Sequence, residues 1–273
     1  MMKTMISGFV VFAAAGLFAA ENLAKFADCE DPVLLRKCGA GVTLSTVKPH
    51  SGKTSLCVNA MRKFIYSDII KIDPTKKYKF SIYFRTDDGS KAAPFFAGLQ
   101  SYDKNMKPFG GDNVRSFDGT LTTVTADARK GEQVLQVENA SKYKKGWIIA
   151  LDAKEDYSDL PNRNLIGGVK AINGNELTLA QPLKQDVAAG TQIRQHIGGW
   201  QYNLNHGGKP GVEWKEYSCI INGRNDKNGN NDQFWPGTQY VKIVIAANMA
   251  KGEGAVLYID DFQLTEIGPA TAK

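Results

Sequence analysis

The sequence predicts an all-β protein, and three observations predict it. Tyr78 to Arg85 (YKFSIYFR) alternates strictly, with Phe80, Ile82 and Phe84 on one side and Lys79, Ser81 and Tyr83 on the other, the period-2 pattern of a strand with one buried face. The closing stretch Gln239 to Glu266 reads the same way. Tyr240 to Ile245 and Ala255 to Leu264 form two strand patterns, with Gly252 and Gly254 between them, and glycine supplies turn residues. The third observation is composition: 10% aromatic residues with 27 glycines in 273 residues suits many short strands joined by turns.

The remaining elements follow in order. Val42, Leu44 and Thr46 mark a short strand, Ser51-Gly52-Lys53 a turn, and Leu56 and Val58 share one face of the next strand. Phe64 to Ile72 is a strand ended by Asp73-Pro74, because proline fixes φ and disfavours continuation. Ala93 to Tyr102 precedes a hydrophilic turn at Asp103 to Lys107. Short strands are expected at 121–124, 134–137, 146–151, 168–172, 176–180 and 190–193, with Asn173-Gly174-Asn175 as a hairpin turn. A loop of some eighty residues without structure would be unusual, so residues 113–196 are expected to form a small β subdomain. Val212 to Ile221 is another strand pattern, and Trp214 within it is expected in the core.

Lys3 followed by the apolar run Ile6 to Ala20 has the layout of a secretory signal peptide. The run is shorter than the roughly 20 residues a membrane span needs, and no later segment is long and apolar enough. The expectation is export to the periplasm or the extracellular space after cleavage near residue 20. Four cysteines in such a chain suggest two disulfides. If their strands are neighbours, Cys57 pairs with Cys219 and Cys29 with Cys38. The net charge of +6 comes from scattered lysines, a solvated surface with weak attraction to acidic polymers rather than a nucleic-acid stripe.

The order of Ser51-Gly52-Lys53, Ser55-Leu56, Pro74, Tyr78-Lys79-Phe80-Ser81, Trp214-Lys215-Glu216-Tyr217 and Tyr258-Ile259-Asp260-Asp261 resembles the carbohydrate-binding modules of the galactose-binding-like fold. The resemblance covers 21–112 and 197–266. It implies a jelly-roll β-sandwich, interrupted by 113–196 as a small β-barrel-like insertion and followed by a tail at 267–273. It also implies a polysaccharide or glycan partner, and a structural Ca2+ that would implicate Glu30 or Asp31 with Asp261.

Sugar rings pack their C–H faces on exposed aromatic rings while amides and carboxylates bind hydroxyls. On that chemistry the candidate ligand residues are Trp200, Tyr202, Asn205, Gln233 and Trp235. Asp226, Asn228, Asn230 and Asp232 place oxygens at positions 1, 3, 5 and 7 of a hard-cation loop, without the glycine at 6 or the distal glutamate of an EF-hand. Calcium is the cofactor such a loop would take. The three histidines have no metal-pair spacing, and no nucleophile elbow or phosphate loop occurs. The expected function is therefore a secreted, non-catalytic carbohydrate-binding protein. The alternatives are an adhesive surface protein with a protein partner, and a jelly-roll lyase or hydrolase using Tyr202, His206 and Arg194.

Overall fold

The computed structural model describes residues 21–250 and 254–271; the expected leader at 1–20 lies outside them. After helix α1 (Val33–Cys38) come β1 (Val42–Ser45), β2 (Ser55–Asn59), β3 (Lys63–Tyr66), β4 (Ile70–Lys71), β5 (Lys76–Arg85), β6 (Phe96–Tyr102) and β7 (Pro108–Phe109). The short helix α2 (Gly111–Val114) then leads to β8 (Thr122–Thr123), β9 (Val134–Gln136), β10 (Ile148–Leu151), β11 (Leu165–Ile166), β12 (Val169–Asn173), β13 (Glu176–Leu179) and β14 (Gln192–His196). The chain closes with β15 (Gln201–His206), β16 (Lys215–Asn222), β17 (Tyr240–Ala247) and β18 (Val256–Pro269).

The main body is a β-sandwich. One sheet has the order β1-β2-β18-β5-β16. The facing sheet runs β15-β6-β17-β3, with β4 and β7 completing its edges. All the strand pairings are antiparallel. Alternation does the sorting: Phe80, Ile82 and Phe84 from one sheet meet Ala97, Leu99, Val241, Ile243 and Ile245 from the other in a single buried cluster. Each large side chain so buried stabilises the fold by about 1.5–3 kcal/mol relative to exposure.

Residues 122–196 build two further sheets, β11-β10-β14-β8 and β12-β13-β9. These enclose a second apolar cluster that includes Leu135, Ile149, Leu177, Leu179 and Ile193. The hairpin expected at Asn173–Asn175 joins β12 to β13, with Gly174 at φ +56°. A polar seam ties this part to the sandwich. His196 Nε2 accepts from Arg194 Nε at 3.1 Å, and its Nδ1 lies 2.8 Å from the Asp112 carbonyl of α2. Arg194 also pairs with buried Asp159 at 2.8 Å. Burial holds the His196 imidazole neutral, with its pKa pushed down to about 4.

Four expectations need correction. The two closing strands do not pair with each other: β17 lies in one sheet and β18 in the other. β18 continues to Pro269 because Gly268 and Pro269 pair with Lys77 and Lys76, taking up part of the expected tail. The cysteines are all free thiols. β2 and β16 are three strand steps apart, roughly 14 Å at the usual spacing, whereas a disulfide needs Cα atoms within about 7 Å. Cys57 also faces outward opposite Tyr258 while Cys219 faces the core opposite Phe80. Cys29 is buried with its thiol toward the Ile259 carbonyl, and Cys38 is buried at the end of α1. Finally, Trp214 is not core. It sits half-buried on the outer face of the five-stranded sheet, donating from Nε1 to the Lys48 carbonyl.

Candidate functional site

The six-stranded sheet has an outer face that follows from the same alternation that fills the core. On β6, Ala97 and Leu99 point inward, which turns Phe96, Gly98, Gln100 and Tyr102 outward. On β17, Val241, Ile243, Ile245 and Ala247 point inward, leaving Tyr240, Lys242, Val244 and Ala246 outward. Ile65 points inward on β3, so Phe64 and Tyr66 point out. Register then sets the rows: Tyr66, Val244 and Gly98 lie side by side, as do Phe64, Ala246 and Phe96.

Rings stand at the margins of this face, and Gly98, Val244 and Ala246 at its centre are buried. Gly98 is required there. A Cβ would fall 1.9 Å from the Gln201 carbonyl oxygen and 2.5 Å from the Tyr202 Cα, so only glycine lets β15 lie this close to β6. That approach brings Tyr202 against Phe96, with ring centroids 4.9 Å apart, and His206 against both. Phe64 and Tyr66 stack at 6.5 Å on the opposite margin.

Two adjoining hollows of about 440 Å³ each open on this surface and share Gln100 and Pro108. One is lined by Tyr66, Ser67, Tyr102 and Lys242. The other is lined by Phe109, Asp112, Asn113 and Trp200, whose ring is 39% exposed at the lip. Together they make a groove across the strands. Gln100 is held by a bond from Nε2 to the Phe109 carbonyl. Burial raises the phenol pKa of Tyr66, Tyr102 and Tyr202, so each hydroxyl stays protonated and able to donate. Such hollows offer ring faces beside hydroxyl, amide and ammonium groups.

Of the residues expected to bind ligand, Trp200 lines one hollow, while Tyr202 packs against Phe96 and His206 on the same sheet face. Trp235 does not: it is 1% exposed, packs with Phe109 and Val114, and donates from Nε1 to the Asn230 carbonyl. Its ring therefore cannot meet a sugar. The Asn205 amide donates to the Phe95 and Gly208 carbonyls, and Gln233 bonds with Asn230 and the Asn222 carbonyl. Both hold loops. Tyr66, Tyr102, Phe64, Phe96, Gln100 and Lys242 were missed. Their signal is the polar or aromatic half of the alternation in FIYS, APFFAGLQSY and YVKIVI, the half that does not enter the core.

The five proposed metal donors do not converge. Asp226 pairs with Arg224, Asn228 brackets the Ser116 backbone, and Asn230 Nδ2 donates to Gln233. Asp261 binds His50 and Ser51 near Tyr83 of β5, while Asn222, adjoining the 226–232 loop, pairs with Lys77. Those two positions are six residues apart on β5, roughly 20 Å. Glu30 accepts from the Lys53 and Thr54 amides and Asp31 from the Val33 amide, so both carboxylates are held by backbone donors. No cluster of three His, Cys, Asp or Glu suited to a metal occurs among the described residues. These side chains do not fit a common calcium site. The lyase set separates likewise: Tyr202 and His206 are neighbours, but Arg194 is buried in the polar seam.

No family model matches the chain, and no curated protein matches it. Among solved structures, it is similar to the CBM22-1 xylan-binding domain from Paenibacillus barcinonensis Xyn10C, at 9% identity over 84% of this chain and 82% of that one, with a TM-score of 0.34. It is also similar to the C-terminal family 22 carbohydrate binding module of Clostridium thermocellum Xyn10B (11% identity, 85% and 83% covered, TM-score 0.31). A third is Family 16 Carbohydrate Binding Module-2 (9% identity, 84% and 87% covered, TM-score 0.31). TM-scores at this level leave the function to be read from the chain's own surface.

Proposed function

We propose that this chain is a non-catalytic carbohydrate-binding protein, exported by its leader, whose site is the groove on the outer face of the six-stranded sheet. The observation that carries the reading is the pairing of half-buried and exposed rings with polar groups in the two adjoining hollows. Tyr66, Tyr102 and Trp200 line the hollows, with Gln100 and Lys242 among them. Rings at a groove's margins suit the C–H faces of pyranoses, and the amide, phenol and ammonium groups suit hydroxyls. A groove open along a sheet accommodates a polymer better than a small molecule, which would be enclosed.

Calorimetry or affinity electrophoresis against a panel of soluble polysaccharides tests it. Tyr66→Ala and Tyr102→Ala should each weaken binding about tenfold, the value of one ring contact. Tyr83→Ala, on the opposite outer face, should leave it unchanged. Equal loss in all three variants, or a protein that binds no polysaccharide, would sink the reading.

A further inference from the structure

The groove is charged unevenly. β4 opposes the start of β17, with Lys71 across from Tyr240 and Ile70 across from Val241. Ile70 and Val241 enter the core, so alternation turns Lys71 outward, on the same face as Lys242 and diagonal to it. Diagonal neighbours on one face lie roughly 7–8 Å apart, within joint reach of one anionic group. The Lys242 ammonium lies 5.8 Å from the Tyr102 ring centroid, and the side chain is half-buried in the hollow with Tyr66 and Gln100.

Neither lysine forms an ion pair among the described residues, whereas Lys76, Lys79 and Lys91 pair with Glu266, Glu216 and Asp88. Asp68, the carboxyl lining this hollow, is engaged in contacts of its own. At the other end of the groove, beside Trp200, the charged lining residue is Asp112. One end therefore presents Lys242 in the hollow, with Lys71 on the same face and the already engaged Asp68 in the lining, and the other end presents Asp112.

Resting on the carbohydrate reading of the same groove, we propose that the ligand is an acidic polysaccharide. A sugar carboxylate or sulfate seats between Lys71 and Lys242 beside Tyr102, while neighbouring rings lie on the tyrosines. Ammonium-to-anion hydrogen bonds are about twice as strong as neutral ones. The partial burial of Lys242 protects its contact from the screening that weakens exposed pairs.

The test compares binding within two matched pairs at one salt concentration: polygalacturonate with its carboxyl-reduced form, and a sulfated galactan with its desulfated form. The wild type should prefer the acidic member of at least one pair by about tenfold, and the pair that shows the preference identifies the acid. Lys242→Gln should bring that ratio close to one, and Lys71→Gln should lower it about threefold. Lys170→Gln removes the same unit of charge from an exposed position on β12 and should leave the ratio unchanged. Binding to the neutral members with a wild-type ratio of one overturns the acidic ligand and spares the carbohydrate reading. A ratio lowered equally by Lys170→Gln also overturns it, since net charge would then explain the preference. Failure to bind any of the four polymers overturns both readings.

Discussion

The two outer faces of the sandwich carry similar residues and differ in what lies over them. The five-stranded sheet presents Tyr83, Arg85 and Tyr258 outward, but the segment before β2 folds back across them. His50 stacks on Tyr83 at 3.6 Å, Arg85 lies over Tyr258 at 3.9 Å and donates to the Val47 carbonyl, and Trp214 donates to the Lys48 carbonyl. Asp260 holds the backbone amides of His50 and Ser51. The aromatic and cationic groups there are spent on the fold. On the six-stranded sheet no such segment among the described residues crosses the hollows, and Tyr66, Tyr102, Gln100 and Lys242 line open space. Rings beside a cation on a sheet face therefore do not mark a site; the path of the chain over the face decides.

That contrast can be broken most forcefully on the covered face. Arg85→Ala removes a 4%-exposed side chain together with its bonds to Val47 and Thr86. It should destabilise the protein by about 3 kcal/mol in urea unfolding while groove affinity holds. A loss of affinity without a loss of stability would reverse the roles assigned to the two faces.

A second effect on the covered face depends on pH. Burial, then the neighbouring Asp261 charge, raises the Asp260 pKa from 3.8 to about 6. The folded state thus binds this proton more tightly than the unfolded state. The contribution is fully present below about pH 4 and is lost as pH rises to about 6. Urea titrations across that window should show falling stability from this group, and Asp260→Asn should flatten the change. An unaltered profile in the variant would assign the titration elsewhere.

On the open face the effects are smaller in stability and larger in binding. Tyr102→Ala should cost about 1 kcal/mol of folding stability against its tenfold effect on affinity. Trp200→Ala should fall within about 0.5 kcal/mol. Its 39%-exposed ring should nevertheless report ligand by a fluorescence change that the variant lacks.

The legible parts of this molecule were those that local alternation controls. Phe80, Ile82 and Phe84 entered the core as their spacing required, and the β12–β13 turn formed where Asn173-Gly174 stood. The misread residues depend on distant partners. Trp235 and Trp200 both sit in polar, glycine-rich surroundings in the sequence, yet one is sealed by Phe109 and Val114 and the other stands at the groove lip. Cys57 and Cys219 share similar strand contexts but fall on opposite faces of strands three steps apart.

The sequence by itself determined that the chain is all-β, where most strands lie, and which half of each strand is buried, because period 2 and turn residues act over a few neighbours. Only the tertiary structure decided that β17 and β18 lie in opposite sheets, that the segment before β2 covers one outer face, and that Tyr66, Tyr102 and Lys242 share a groove with Trp200. Those outcomes depend on strand order and on how chain segments far apart in sequence close over one another, and alternation carries no record of either.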